Sequence, residues 1–140
     1  MLSIIEKVIF LQNVDVFSEV STEQLAYLAA IADEVPCMPD DEIFQENEHA
    51  DALYLVLEGR IQLHRGETEI TVLGPGEAFG TWALFDAEPR VATATATEPG
   101  RLLKIDREDF YDILADHVQV TQGIMKALVK RLRGLVDRVT

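Results

Sequence analysis

Residues 74–93 are Gly-Pro-Gly-Glu-Ala-Phe-Gly-Thr-Trp-Ala-Leu-Phe-Asp-Ala-Glu-Pro-Arg-Val-Ala-Thr, and this stretch organises the rest of the chain. It opens with a Gly-Pro-Gly turn, continues through the apolar run 82–85, and leads through Pro89 and Arg90 into an alternating strand over 91–97. A glycine followed by a short apolar turn presents several backbone N–H groups in one direction, and such a hollow binds anions. Arg90 can close over the same anion with its planar guanidinium. The stretch therefore predicts a phosphate-binding site.

The length and composition predict one globular domain that spans residues 1–140. Hydrophobic residues make up 48% of the chain and charged residues 26%, which is ordinary for a globular protein. The formal net charge is -13, because 25 Asp and Glu outnumber 12 Lys and Arg. A surface this acidic repels nucleic acids and anionic membranes, so we expect neither as a direct partner.

The basic residues are unevenly placed, because none lies between Lys7 and Arg60 while five of the twelve lie in the last predicted helix. Those five are Lys126, Lys130, Arg131, Arg133 and Arg138. The single cysteine, Cys37, excludes an intrachain disulfide and favours a reducing compartment. The sequence has no signal-peptide pattern and no apolar run of membrane-spanning length, so we expect a cytoplasmic protein.

Two helices are predicted in residues 1–32. Apolar residues at helical spacing indicate a first helix over positions 1–12, and it begins without an evident cap. An uncapped start suggests a domain cut from a longer chain, or a fraying end. Ser21 and Gln24 form a capping-box pattern at the start of the second helix, which is predicted to end near Ala32.

From Asp33 to Ile105 the hydrophobic period changes to two, with polar turns between short apolar runs. The runs 53–57, 61–65 and 69–73 are predicted strands, and Gly66 with Glu67 joins the last two as a hairpin. A glycine turn at 57–60 separates the first two. Many short strands at regular spacing favour a sandwich or a small barrel.

Two more helices are predicted at the C-terminal end, over 110–115 and about 118–139. The apolar residues of the last helix alternate three- and four-residue steps, which places them in one stripe. They are Met125, Leu128, Leu132, Leu135 and Val139. The stripe has two interpretations: it covers the strand domain of its own chain, or it pairs with the same helix of a second subunit.

Residues 79–84 (Phe-Gly-Thr-Trp-Ala-Leu) and 89–93 (Pro-Arg-Val-Ala-Thr) resemble the phosphate-binding cassette of the cyclic nucleotide-binding domain family. Residues 53–59 are similar to the family's strand that leads into a glycine turn, and the resemblance extends from Val14 to the last helix. It implies a mainly β fold, a β-roll of about eight strands with helices before and after. The implied segments are 1–32 (helical), 33–106 (β-roll with the cassette at 79–93) and 107–140 (C-terminal helices).

In such domains the cyclic phosphate lies on backbone amides of the cassette and an arginine pairs with its charge. By this resemblance Gly80, Ala83 and Leu84 supply backbone contacts, and Arg90 supplies the guanidinium. The ligand-binding residues that it implies are Gly80, Thr81, Ala83, Leu84, Arg90, Val91 and Ala92. The implied ligand is cyclic AMP or cyclic GMP, and no cofactor is expected.

Thr81 departs from the family pattern, which has a glutamate that accepts hydrogen bonds from the ribose 2′-hydroxyl. Hydrogen bonds to a charged acceptor are worth about 1.5–3 kcal/mol, against about 1 for neutral ones. The substitution therefore predicts weaker sugar recognition while leaving phosphate binding intact. Trp82 is larger than the usual aliphatic residue and could fill or reshape the cavity, and Val91 offers no hydroxyl.

Each of these residues also has a plainer interpretation. Arg90 could be a surface residue, or could pair with Glu77 or Asp86. Thr81 could cap a helix, and Trp82 fits a core position or a cavity wall better than a purine-stacking one.

Catalytic and metal sites are not expected. His49, His64 and His117 lie far apart without metal-ligand spacing, and the sequence has no nucleophile elbow or Walker loop. An enzyme on a similar fold, such as a cupin, would need a His/Glu set on the strands, where His64 is the single histidine.

Two functions remain. The favoured one is a non-catalytic regulatory module that binds a cyclic nucleotide or similar phosphate ligand and transmits binding through its C-terminal helices. The alternative is a ligand-free protein–protein interaction domain on the same fold, which Thr81, Trp82 and the uncapped first helix favour. The DNA-binding helix-turn-helix of some relatives would follow the last helix, so direct DNA binding is not expected. A homodimer through that helix, or attachment to a larger protein, is compatible with both.

Overall fold

The computed structural model describes residues 1–86 and 88–139, with the side chain of Val139 left out. Within them, helices flank a core of short strands. The helices are α1 (Ile4–Leu11), α2 (Thr22–Ile31), α3 (Arg107–Asp116) and α4 (Val118–Val139). The strands are β1 (Asp33–Cys37), β2 (Glu42–Phe44), β3 (Ala52–Glu58), β4 (Ile61–Arg65), β5 (Thr68–Leu73), β6 (Ala78–Phe79), β7 (Thr93–Ala96) and β8 (Gly100–Asp106). Two short 3-10 turns complete the order: the linker turn Asp15–Phe17 and the cassette turn Thr81–Leu84.

The strands form two four-stranded antiparallel sheets, in the orders β1-β8-β3-β6 and β2-β7-β4-β5. This arrangement confirms the predicted β-roll. The hairpin between β4 and β5 lies where it was predicted, and Gly59 makes the predicted tight turn with a φ of 91°. β7 is shorter than the predicted strand at 91–97, because residues 90–92 form part of a cavity wall instead.

Strand β3 lies at the centre of the molecule, and its first six residues are buried. Since strand side chains alternate between faces, Leu53, Leu55 and Leu57 pack into one cluster with the helices. Tyr54 and Val56 point the other way, into the cluster between the two sheets. Both faces of this strand are therefore covered, which explains its nearly unbroken apolar sequence.

The expectation that the first helix is uncapped is wrong. Ser3 caps α1, because its Oγ accepts the N–H of Glu6 at 3.1 Å while the Glu6 carboxylate accepts the N–H of Ser3 at 3.0 Å. Ser21 caps α2 as predicted. The side chain of Gln24 does not close that capping box; it donates to Gln119 of α4 at 2.9 Å and ties the two helices together.

Helix α4 runs over the predicted range, but its two halves differ. In the first half, Val120, Ile124 and Ala127 are buried against the helices and the linker turn. Lys126 and Lys130 both pair with Glu19, the latter at 3.0 Å, so two of the basic residues of α4 contact an acidic residue that precedes α2.

The apolar stripe of α4 does not lie on its own β-roll along its whole length, so the first of its two interpretations is wrong. Leu128 is partly buried, whereas Met125, Leu132 and Leu135 are all more than half exposed. Pairing of the stripe with a second subunit stays a prediction.

Substitution of alanine for each of the two glycines of α4 is predicted to change the free energy of unfolding in opposite directions. A Cβ at Gly123 would lie 2.9 Å from the carbonyl oxygen of Glu19 and 3.0 Å from Val20, so α4 would have to move. At Gly134 a Cβ would meet nothing within 4 Å. We expect Gly123→Ala to lower the free energy of unfolding by about 1–2 kcal/mol. Gly134→Ala should raise it by up to about 1 kcal/mol through helix propensity. Urea denaturation checks the pair, and equal shifts in the same direction would contradict the close approach.

Candidate functional site

A cavity of about 540 Å³ opens between the cassette turn, the segment 88–92 that precedes β7, and side chains of β4 and β5. That volume falls in the range of small-molecule sites, which are mostly apolar with a few polar groups. The residues that line it are Phe44, Ala50, Leu63, Leu73, Ala78, Phe79, Gly80, Thr81, Trp82, Ala83, Asp86, Glu88, Pro89, Arg90, Val91 and Ala92.

Arg90 is the one cation among these lining residues, and it is only 6% exposed. Its Nη2 donates to the carbonyl oxygen of Ala52 at 2.8 Å, and its guanidinium carbon lies 4.0 Å from the ring centroid of Phe44. Within the described residues its Nε has no hydrogen-bond partner, and no carboxylate lies within ion-pair distance. A buried charged donor without a partner is costly, and it is an unusual feature of a folded protein.

Burial lowers the pKa of Arg90, while Tyr54, Asp51 and Glu48 act in the opposite direction. An arginine stays protonated even so, because its pKa begins far above the physiological range. Beside the cavity the protein therefore carries a desolvated positive charge, whose buried Nε–H has no partner within the described residues.

The two plainer interpretations of Arg90 are wrong, because the side chain is buried and neither proposed carboxylate pairs with it. Glu77 instead accepts the N–H of Gly74 at 3.1 Å. Asp86 accepts the N–H of Glu88 at 3.2 Å.

The backbone of Arg90 is held by the loop that precedes β3. Its N–H donates to the carbonyl of Glu48, and its carbonyl accepts the N–H of Asn47, both at 2.8 Å. Asn47 has a positive φ of 71°, a conformation that asparagine tolerates better than most residues. The contacts of Asn47 and Glu48 with Arg90 were not predicted from the sequence. The asparagine was the one local feature that indicated a turn at this point.

The cassette turn begins at Gly80, which has a left-handed φ of 73° and is the N-cap. A Cβ there would lie 2.5 Å from Nη1 of Arg90, so only glycine lets the guanidinium lie against this backbone. The N–H of Ala83 donates back to Gly80. The N–H groups of Thr81 and Trp82 open the turn, and among the described backbone hydrogen bonds neither has an acceptor.

Most of the predicted ligand-binding residues line the cavity: Gly80, Thr81, Ala83, Arg90, Val91 and Ala92. Leu84 does not, because it is fully buried in the core cluster beneath the turn. The interpretation of Thr81 as a helix cap is wrong, since Gly80 occupies that position and no side chain caps the turn.

Trp82 forms part of the cavity wall, as predicted, and is not a core residue. It is 57% exposed, and the cavity beside it stays open. The guanidinium carbon of Arg131, from α4, lies 5.5 Å from its ring centroid, which is within cation–π range.

Arg107 links helix α3 to the residues that follow the cassette turn. Its Nη1 donates to the carbonyl of Asp86 at 2.9 Å, and its backbone N–H donates to the carbonyl of Asp51. Neither Arg107 nor Arg131 was identified from the sequence, because each contact joins segments that are far apart in the chain.

His64 has a structural role on its strand. Its Nδ1 lies 2.8 Å from the carbonyl of Gly66 and its Nε2 lies 2.8 Å from the hydroxyl of Thr95. Across the part of the chain that the structure describes, no three His, Cys, Asp or Glu side chains are grouped to hold a metal ion. In that same part, every helix is too short or too polar to cross a bilayer.

The sequence and the fold have counterparts among known proteins. The sequence profile of the family described as "Cyclic nucleotide-binding domain" matches residues 34–117. The N-terminal domain of a transcriptional regulator from Streptomyces coelicolor superposes with a TM-score of 0.86 at 34% identity, covering 91% of this chain and 95% of that one. The regulatory domain of Toxoplasma gondii PKA, solved with cAMP, superposes with a TM-score of 0.72 at 26% identity, covering 78% of this chain and 44% of that one.

Among curated proteins, a CRP-like cAMP-activated global transcriptional regulator of Mycobacterium tuberculosis is 27% identical over 128 residues. The match covers 88% of this chain and 57% of the regulator, so the chain spans little more than half of that relative's length. The profile match, the β-roll and the cassette agree, and the chain belongs to the cyclic nucleotide-binding domain family.

Proposed function

We propose that this chain is a non-catalytic regulatory module that binds a cyclic nucleotide, or a similar small phosphate ligand, and transmits binding through α3 and α4. The observation that carries the proposal is the guanidinium of Arg90, which is buried beside the cavity and has, within the described residues, no carboxylate partner and no acceptor for its Nε. An anion in the cavity would supply the missing acceptor.

The charge of the ligand follows from the groups around this position. One guanidinium, together with the open N–H groups of Thr81 and Trp82, suits a singly charged phosphodiester. Asp86 and Glu88 also line the cavity, and they would oppose a second negative charge. A cyclic nucleotide carries one negative charge on its phosphate, whereas a terminal phosphate group carries nearly two negative charges.

Transmission would use the contacts that α3 and α4 make with the cassette. Arg107 of α3 donates to the carbonyl of Asp86, which follows the cassette turn, and Arg131 of α4 lies against Trp82. A ligand that changes the cassette turn changes these contacts, and only such a differential contact can shift the helices.

Calorimetric titration with cyclic AMP and with cyclic GMP tests the proposal. We expect saturable binding of at least one of them, with one ligand per chain. An absence of binding heat for both, at several temperatures, would overturn the assignment of a cyclic nucleotide.

Thr81→Glu is predicted to bind the same nucleotide about ten-fold more tightly. Thr81 lines the cavity, and a carboxylate there would replace a neutral acceptor of the sugar hydroxyl with a charged one, which is worth about 1–2 kcal/mol more. Thr68→Glu, on the exposed strand β5, adds the same charge away from the cavity and should leave the affinity unchanged. Equal affinities for all three proteins would show that position 81 does not face the sugar.

A further inference from the structure

Phe44 is the last residue of the short strand β2, and its ring lies against the guanidinium of Arg90. The guanidinium carbon is 4.0 Å from the ring centroid, inside the distance of about 6 Å at which a cation is attracted to an aromatic ring face. Both side chains belong to buried residues, so the contact is shielded from water. A cation–π contact is stronger at such a desolvated position than at an exposed one.

The ring of Phe44 is itself held by two neighbouring aromatic rings. Its centroid lies 6.0 Å from that of Tyr54 and 5.9 Å from that of Phe79. Those two rings stack on each other at 5.4 Å with an interplanar angle of 16°. All three residues are buried in the cluster between the two sheets, so packing fixes the ring face that meets Arg90.

The other contacts of the guanidinium leave its charge without a negative partner. Nη2 donates to the carbonyl oxygen of Ala52 at 2.8 Å, and the backbone of Gly80 lies against Nη1. A carboxylate in the position of the Phe44 ring would accept N–H groups of the guanidinium and would compete with an anionic ligand for them. A ring face attracts the same cation through its quadrupole and carries no net charge that would neutralise it.

We propose that Phe44 is a positioning residue for anion binding at this cavity, which holds the guanidinium of Arg90 in place without neutralising it. The ring preorganises the site. A guanidinium that takes other positions binds an anion only in the fraction of molecules in which it lies beside the cavity, and the affinity falls by that fraction. This inference rests on the proposed function, because it gives Phe44 a role in ligand binding at the same cavity.

Fluorination of the Phe44 ring tests the attraction, because it weakens the negative potential of the ring face with little change of shape. Phenylalanines that carry one, two or three ring fluorines are incorporated at position 44 of the full chain. We expect the affinity for cyclic AMP, measured by calorimetry, to fall in steps and to reach about a three- to ten-fold loss with three fluorines. The same series at Phe17, which is fully buried in the other core cluster, makes the same chemical change away from the cavity and should leave the affinity as in wild type.

The order of the Arg90 side chain, measured without ligand, separates positioning from a direct contact between Phe44 and the ligand. We expect ¹⁵N relaxation to show a rigid Nε–H of Arg90 in wild type and in the Phe17 series, and an increasingly mobile one as Phe44 is fluorinated. Phe44→Leu removes the ring and keeps an apolar side chain, and it should be at least as mobile at Arg90 as the protein with three fluorines. A loss of affinity with an unchanged order of Arg90 would mean that Phe44 acts on the ligand itself, and it would overturn the proposal.

The two measurements also distinguish a failure of this proposal from a failure of the proposed function. Greater mobility of Arg90 in the Phe44 series, with no binding heat from either nucleotide in wild type, would support the hold on the guanidinium and overturn the assigned ligand. Nucleotide binding to wild type, with neither affinity nor mobility changed by fluorination, would support the proposed function and overturn the role of Phe44.

Discussion

Arg90→Ala is expected to weaken the binding of cyclic AMP by about 10- to 100-fold, since hydrogen bonds to a charged group are worth about 1.5–3 kcal/mol. We expect this effect because the guanidinium is the one cation among the lining residues, and because its Nε has no acceptor within the described part of the chain. Arg90→Lys should recover little of the loss. Lysine keeps the charge but cannot present two parallel N–H donors, and its ammonium is a compact point charge. Calorimetry of the three proteins gives the ratios.

A lower affinity of Arg90→Ala is informative only if the variant is folded. The loss of affinity must also not result from removing any one positive charge from the protein. Arg90 forms no ion pair within the described residues, so its truncation leaves no buried carboxylate without a partner. We therefore expect Arg90→Ala to keep a cooperative thermal transition by circular dichroism. Arg60→Ala removes an equal charge from a side chain that is 55% exposed, and it should bind as wild type does. Wild-type affinity in Arg90→Ala would remove the main support for the proposed function.

The second large effect is expected at Gly100, the first residue of β8. A Cβ at this position would overlap the carbonyl oxygen of Glu58 and would also crowd the Cα of Gly59, and both neighbours are backbone atoms. The register of β8 against β3 would have to change, and these two strands are the central pair of their sheet. We expect Gly100→Ala to lower the free energy of unfolding by about 3 kcal/mol, at the upper end for overpacking.

Urea denaturation measures this loss, with the slope fitted separately for each protein, and Gly134→Ala is the matched control because its new methyl group meets open space. The close approach would be contradicted if both glycine variants unfolded at the wild-type midpoint. A lower slope in Gly100→Ala would instead report a less compact native state, which is the expected result if β8 detaches.

Features set by neighbouring residues could be predicted from the sequence. The apolar strand β3, the hairpin after β4 and the helical spacing of apolar residues in α4 are each visible as a local pattern in the sequence. The Ser3 cap was equally local, as a serine followed three residues later by Glu6, and it was missed because the helix starts so close to the first residue.

The cassette was found through its resemblance to a family, and its finer geometry could not be predicted in this way. In a short 3-10 turn successive side chains point in different directions, so Leu84 lies in the core while Ala83 lines the cavity. The contact of Arg131 with Trp82, and the bonds between Asn47 and Arg90, join residues more than forty positions apart. Such pairs are set by how the sheets and helices pack, which no local pattern encodes.

In the proposed complex, the Nε–H of Arg90 donates a hydrogen bond to an oxygen of the ligand. The most direct measurement is the ¹H–¹⁵N resonance of this Nε–H group, assigned by its disappearance in Arg90→Lys, during titration with cyclic AMP. We predict that the resonance moves downfield and that its exchange with solvent slows as the protein saturates, while the resonances of exposed arginines stay in place. An Nε–H resonance that does not change when nucleotide is bound would contradict the account.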